Sequence, residues 1–168
     1  LASDAEHGFV LLSDLGATLY LAALSEASPA QADHLMRSAL GALVHWQQRV
    51  SPAGLPPYDH ALLLREVQLF PQWCVAQEFN ITWSEAQLKV WQQVVDKLIA
   101  RALAQATVAV HRDWMPRNLM VAEPNPAILD FQDAVLGPIS YDVASMLRDA
   151  FISWDEAQEL DWAVRYWE

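Results

Sequence analysis

The chain has 168 residues, 54% of them hydrophobic and 18% charged, and its 10 Lys+Arg stand against 21 Asp+Glu for a formal net charge of −11. A chain of this size suits about one domain and buries about two thirds of its unfolded surface, so it needs no disulfide staples. The acidity excludes a general nucleic-acid binder and a protein that docks on anionic lipid, because no basic stripe is present to neutralise phosphates.

The single cysteine, Cys74, allows no internal disulfide and points to a reducing, cytoplasmic setting. No uncharged apolar stretch reaches the roughly 18 residues a membrane span needs. The apolar run over residues 10–24 is broken by Asp14 and Gly16, and it lacks the basic flank of a signal peptide. The first residue is Leu1 rather than Met, which is expected of a trimmed chain or a piece of a longer protein.

In chain order, residues 8–12 (GFVLL) read as a short buried strand, broken by Ser13, Asp14, Leu15 and Gly16, with a short helix over residues 18–24. Ser28, Pro29 and Gln31 then supply the N-cap, first-turn and capping-box positions of a long helix with a Leu35, Ala39, Leu43, Trp46, Val50 stripe. The Pro- and Gly-rich segment 51–57 stops it. Asp59 caps a second helix reaching about Phe70, where Pro71 forces a bend or restart. Ser84 and Gln87 form another capping box, with Trp83 and Leu88 as its staple pair and Leu88, Trp91, Val95, Leu98 and Ala102 as the buried stripe. Residues 107–110, 119–122 and 127–129 are short β-type runs. The last two form a hairpin about the turn Glu123-Pro124-Asn125-Pro126. Helices follow over residues 141–152 and 156–167, the latter capped by Ser153 with Glu156. The sum is an α+β fold, mostly α.

The chemistry concentrates around this hairpin. Residues 111–118 read His-Arg-Asp-Trp-Met-Pro-Arg-Asn, and Asp130-Phe131 closes the hairpin's second strand. H-R-D-x-x-x-x-N followed by D-F is the spacing of the protein-kinase catalytic machinery. Phosphoryl transfer needs an acceptor hydroxyl held in line with the γ-phosphate, and a carboxylate at Asp113 suits that task. Asn118 and Asp130 offer the hard oxygen ligands that magnesium prefers. His111 reads as scaffold rather than base.

The downstream run Asp130-Phe131-Gln132-Asp133-Ala134-Val135-Leu136-Gly137-Pro138-Ile139-Ser140-Tyr141-Asp142-Val143-Ala144 completes a resemblance to the aminoglycoside phosphotransferase/choline kinase family, small-molecule kinases of protein-kinase-like fold. The wording of residues 111–120, with Leu55-Pro56-Pro57-Tyr58-Asp59 and residues 65–73, is most similar to the bacterial anomeric kinases of N-acetylmuramate and N-acetylglucosamine within it. The resemblance implies a C-terminal lobe whose small β-hairpin carries the catalytic loop, with residues 1–16 as last N-lobe strand and hinge and 17–168 as the catalytic and substrate lobe, truncated at both ends. It implies ATP as co-substrate, Mg2+ on Asn118 and Asp130, and Asp113 as the catalytic carboxylate. Leu12, Ser13 and Asp14 become the adenine-binding hinge, for which a plain strand-to-turn is an equal reading of the residues. His111, Arg112 and Asp142 become catalytic-loop support. Asp142 would accept from backbone N–H groups of that loop, alongside or instead of serving as a helix N-cap.

Departures shape the acceptor. Gln132 replaces the glycine of D-F-G, and Met115 stands where protein kinases carry a phosphate-contacting Lys. Arg117 is a candidate phosphate contact, or a plain surface residue. Trp114, Glu66 and Trp73 are candidate sugar contacts, although core packing suits most of the eight Trp, and Cys74 reads as a buried apolar residue. His7, His34, His45 and His60 show no metal-ligand spacing. No glycine-rich phosphate loop is present and no Lys precedes Lys89, so these 168 residues alone are expected to lack kinase activity. The competing readings are an aminoglycoside or choline-type alcohol kinase and a non-catalytic helical module.

Overall fold

A computed structural model describes residues 2–168. The fold is mixed α and β, largely helical, with three two-stranded sheets among the described residues. The chain divides into two compact units. One takes the residues up to Val44 together with Asp113–Phe131 and Val143–Glu168; the other takes His45–Arg112 and Gln132–Asp142.

The first unit opens with a hairpin of β1 (Ala2–Asp4) and β2 (Phe9–Leu11), antiparallel in the register Ser3↔Val10. Residues 8–12 were expected to be buried; instead Phe9 through Leu12 are each about two thirds exposed or more (67–71%). An alternating strand is buried only if a second layer covers it, and a lone two-stranded ribbon has none. α1 (Tyr20–Ser25) and α2 (Pro29–Arg49) follow. The capping box forms as expected: Ser28 N–H donates to Gln31 Oε1 at 2.9 Å, and Gln31 N–H to Ser28 Oγ at 3.4 Å. The buried stripe of α2 is Ala32, Met36, Ala39, Leu40 and Leu43, while Leu35 is only half-buried. The expected 119–129 hairpin is present as β4 (Leu119–Met120) and β5 (Ala127–Ile128).

α5 (Tyr141–Leu147) ends five residues before the expected Ile152. Asp149 takes the Phe151 N–H at 2.8 Å, a local side-chain bond that competes with helix continuation. α6 (Glu156–Trp167) is capped by Asp155, which accepts from Gln158 N–H at 2.8 Å, rather than by Ser153 as the sequence suggested. The unit's largest buried side chains are Trp114, Trp162, Tyr20, Met36, Leu43, Leu119 and Met146. Each such side chain contributes about 1.5–3 kcal/mol through burial. Trp162 keeps its indole N–H satisfied on Asp33 at 3.0 Å. That bond, followed by Arg37, holds the Asp33 carboxyl below its ordinary range.

The second unit packs α3 (His60–Val67) and α4 (Glu85–Leu103) beside a sheet of β3 (Thr107–Val110) and β6 (Val135–Pro138). Asp59 caps α3 through Leu62 N–H, as expected, but the helix stops at Val67 and not Phe70. Pro71 cannot donate to Val67, so the chain rewinds as a π-helical segment, Phe70–Glu78, where Phe79 N–H reaches back to Cys74 C=O at 3.1 Å. Cys74, expected to be buried, is half-buried there. The Ser84–Gln87 capping box of α4 forms as read. Of its expected stripe Val95 is buried and Trp91 and Ala102 pack against the core, while Leu88 and Leu98 are exposed and Ile99 is buried instead. Trp83 packs tilted against Trp91, 5.3 Å between ring centroids.

β6 was not anticipated as a strand. It pairs with β3 through Val108↔Gly137, and on its other side Leu136 exchanges backbone bonds with Pro56 and Tyr58. A Cβ at Gly137 would lie 2.8 Å from Tyr58 Cβ, an atom fixed by its own backbone. Gly137→Ala is therefore expected to cost about 1–3 kcal/mol of stability by overpacking. Thermal unfolding of the variant reads this as a fall of several degrees in Tm; an unchanged Tm would contradict the close approach.

Candidate active site

In the first unit, residues 113–118 fold into a tight loop that enters β4. Met115 N–H donates to Asp113 C=O and Asn118 N–H to Met115 C=O, each at 2.9 Å. The Asn118 side chain donates from Nδ2 to Asp113 C=O at 3.1 Å, which turns its Oδ1 away from that carbonyl. Leu129 N–H donates to Asn118 C=O at 2.9 Å, so the β4–β5 pairing sets Asp130 one residue beyond the partner of Asn118. Asp130 itself has φ +64°, left-handed backbone for a residue with a Cβ. Such conformations cost about 1–3 kcal/mol and cluster at functional sites. The loop is pinned from beneath: Trp114 and Leu119 are fully buried, and Leu21 at the start of α1 donates to Pro116 C=O at 3.0 Å.

In the second unit, the backbone immediately before Asp113 is gripped by side chains. Asp142, fully buried, accepts from His111 N–H at 2.7 Å and Arg112 N–H at 3.0 Å. It is the second residue of α5, inside the helix rather than at its N-cap. His111 is also fully buried, its ring edge-on to Trp46 at 5.3 Å. Arg112 has φ +77°, a second left-handed residue with a side chain. Its guanidinium donates to Glu66 Oε1 at 2.6 Å. Glu66 Oε2 in turn accepts from Tyr58 and, at 3.5 Å, from the Tyr141 hydroxyl. Burial, then Glu66 and Tyr141, push the Tyr58 phenol above its ordinary range and keep it a donor. Burial alone would lower the Arg112 pKa, but the hydrogen bond and negative charge of Glu66 outweigh it and raise it.

The other expected positions fare unevenly. Leu12, Ser13 and Asp14 are exposed, with Asp14 Oδ1 accepting from Gly16 N–H at 2.9 Å. Arg117 is exposed, its guanidinium 4.6 Å above the Phe151 ring. Trp73 is exposed on the π-helical segment. Trp114 is corrected: a side chain with no exposed surface cannot stack on a sugar, and it serves as core. Glu66 accepts from Arg112, Tyr58 and Tyr141 and keeps about a quarter of its side chain exposed. Sequence reading missed Tyr58 and Tyr141 as the groups that orient Glu66; their only signal was their position inside the two runs that carried the resemblance.

Among the described residues no cluster of three or more His, Cys, Asp or Glu side chains is built to cage a metal. The pair Asn118 and Asp130 nonetheless fits magnesium, which takes hard oxygens and is typically held by one or two protein ligands plus substrate phosphates.

The sequence pattern of the phosphotransferase enzyme family matches residues 1–168. The chain belongs to that family. Among its relatives are proteins named N-acetylmuramate/N-acetylglucosamine kinase. Those from Pseudomonas putida and Pseudomonas aeruginosa are each 49% identical to it, over 167 and 169 residues. These matches cover 99% and 100% of this chain and 48% and 49% of the relatives. The Neisseria meningitidis relative is 48% identical over 169 residues, covering 100% of the chain and 51% of the relative. The chain spans about half the length of the curated relatives it matches. No helix among the described residues is long and apolar enough to cross a membrane.

Proposed function

We propose that the protein containing this chain is a cytoplasmic kinase acting in peptidoglycan recycling. It would transfer the γ-phosphoryl group of ATP to the anomeric hydroxyl of N-acetylmuramate or N-acetylglucosamine. Residues 17–168 are its C-terminal lobe, and residues 1–16 its last N-lobe strand and its hinge, where the backbone of Leu12, Ser13 and Asp14 meets the adenine edge. Near-half identity over the whole chain to three kinases of that name carries this reading.

In this mechanism Asp113 orients the acceptor hydroxyl and takes its proton as the phosphorus–oxygen bond forms. Its basicity need not be raised, because positioning dominates. Asn118 Oδ1 and the Asp130 carboxylate would hold Mg2+, which when bound neutralises charge on the nucleotide's phosphates. Asn118 is prevented from swinging by its bond to the Asp113 carbonyl. Asp142 and the buried His111 fix the backbone that delivers Asp113. The exposed Arg117 is read as a phosphate contact and the exposed Trp73 as a sugar contact.

Steady-state ADP release by the full-length protein with Mg·ATP tests this. Amino sugars, an aminoglycoside and choline are compared as acceptors. Turnover is expected with the amino sugars and lost on chelation of Mg2+. Turnover with only the aminoglycoside or choline would reassign the acceptor, and none with any acceptor would favour a non-catalytic module. Asp130→Asn is expected to weaken Mg·ATP binding about tenfold or more, by loss of a charged ligand; unchanged nucleotide affinity would remove Asp130 from the metal site.

A further inference from the structure

The Glu66 carboxylate sits on α3, 46 positions upstream of the arginine it binds. It is exposed to only 25%, as is the Arg112 side chain it meets at 2.6 Å. Two tyrosine hydroxyls, from Tyr58 and Tyr141, converge on its other oxygen. The Tyr58 ring also lies under the same guanidinium, 5.9 Å from its centroid, and is itself wedged against Gly137 of β6. Arg112 is thus held at two points: its N–H by Asp142 and its guanidinium by Glu66. Between those points the backbone is left-handed, at φ +77°. An arginine does not adopt that conformation unless its surroundings over-determine it. The next residue in the chain is Asp113.

We infer that Glu66 is a positioning residue for phosphoryl transfer: its tyrosine-held carboxylate clamps Arg112 and thereby sets the direction in which the chain presents Asp113. This rests on the phosphotransfer reading above and adds to it a residue outside the H-R-D-x-x-x-x-N and D-F motifs. It gives Glu66 a role distinct from the sugar contact that the sequence alone suggested. The clamp is charge-assisted and shared among four side chains, so its members are expected to act as a unit rather than additively.

The test uses the full-length protein with the preferred amino sugar and Mg·ATP. Wild-type turnover checks the parent reading; its absence would sink that reading before Glu66 is considered. Glu66→Gln is expected to lower kcat about 10- to 100-fold, the scale of a reacting group misplaced by about 1 Å, while leaving both KM values within about threefold. Glu66→Asp should recover part of the loss. The double variant with Arg112→Met should be no worse than the poorer single variant, and Glu66→Gln in an Asp113→Asn background should have no further effect. Amide hydrogen exchange at residues 111–114 should accelerate in Glu66→Gln, a readout that needs no turnover. A raised sugar KM with kcat kept would return Glu66 to substrate contact. Additive losses, or unchanged exchange, would overturn the inference. Should Glu66→Gln fail to fold, Tyr58→Phe, which removes one hydroxyl from the carboxylate, must lower kcat in the same direction; unchanged kcat there overturns the proposal equally.

Discussion

Asp113→Asn in the full-length protein is expected to lower kcat by about 10²–10⁴-fold, the span associated with removing a positioned general base. Mg·ATP affinity should stay nearly unchanged. The asymmetry follows from the local geometry. Asn is isosteric, and the Asp113 carbonyl, which bonds to Met115 N–H and Asn118 Nδ2, is retained in the variant. The loop therefore keeps its shape and Asn118 its orientation. What disappears is a carboxylate able to orient a hydroxyl and accept its proton. Single-turnover kinetics with pre-bound nucleotide isolates that step. A variant with normal kcat would show that Asp113 is not the group the acceptor meets.

The second large effect is structural. Asp142→Ala removes the acceptor of two N–H groups, from His111 and Arg112, at a point with no exposed surface on Asp142 or His111. Leaving a buried donor unsatisfied costs about 1–3 kcal/mol per group. Two such groups are a large part of the 5–15 kcal/mol that is about the whole stability of a domain. The left-handed Arg112 backbone would also lose one of its two holds. Urea unfolding of Asp142→Ala is expected to show a sharply lower midpoint at unchanged m value. Asp142→Asn, which keeps one acceptor oxygen, should fall between. A midpoint within error of wild type would mean that other acceptors replace the carboxylate.

Much of the fold was legible because its signals are local. Ser28–Gln31, Asp59 and Ser84–Gln87 each satisfy orphan helix N–H groups within one turn, and each cap forms as read. The 119–129 hairpin was legible for the same reason, its strands being separated by one short turn. What failed depends on distant partners. β6 exists because β3 and the Pro56–Tyr58 segment bond to it from both sides, and nothing in Val135-Leu136-Gly137-Pro138 announces that. Trp91, Val95 and Ala102 of the expected α4 stripe pack inward, but Leu88 and Leu98 fit the helical period and are exposed, with Ile99 buried beside Leu98; periodicity alone does not decide between neighbouring apolar residues. Ser153 lost to Asp155 because two cap formers two residues apart compete and only one meets the helix start.

At the candidate site, residue types were legible and their engagement was not. The spacing of Asp113, Asn118 and Asp130 is a property of the sequence. Composition cannot say that Trp114 faces inward or that Glu66 is claimed by Arg112 and two tyrosines. Those facts come from the burial and pairing of side chains drawn from separated segments.

The central claim is that the loop built on Asp113, Asn118 and Asp130 phosphorylates an amino sugar at its anomeric hydroxyl. Phosphorus–proton correlation NMR of the product formed by the full-length protein from Mg·ATP and N-acetylmuramate tests it most directly. The account predicts a phosphorus signal coupled to the proton on C1. Phosphate on any other hydroxyl, or unmodified sugar from an enzyme that phosphorylates another alcohol, would contradict it.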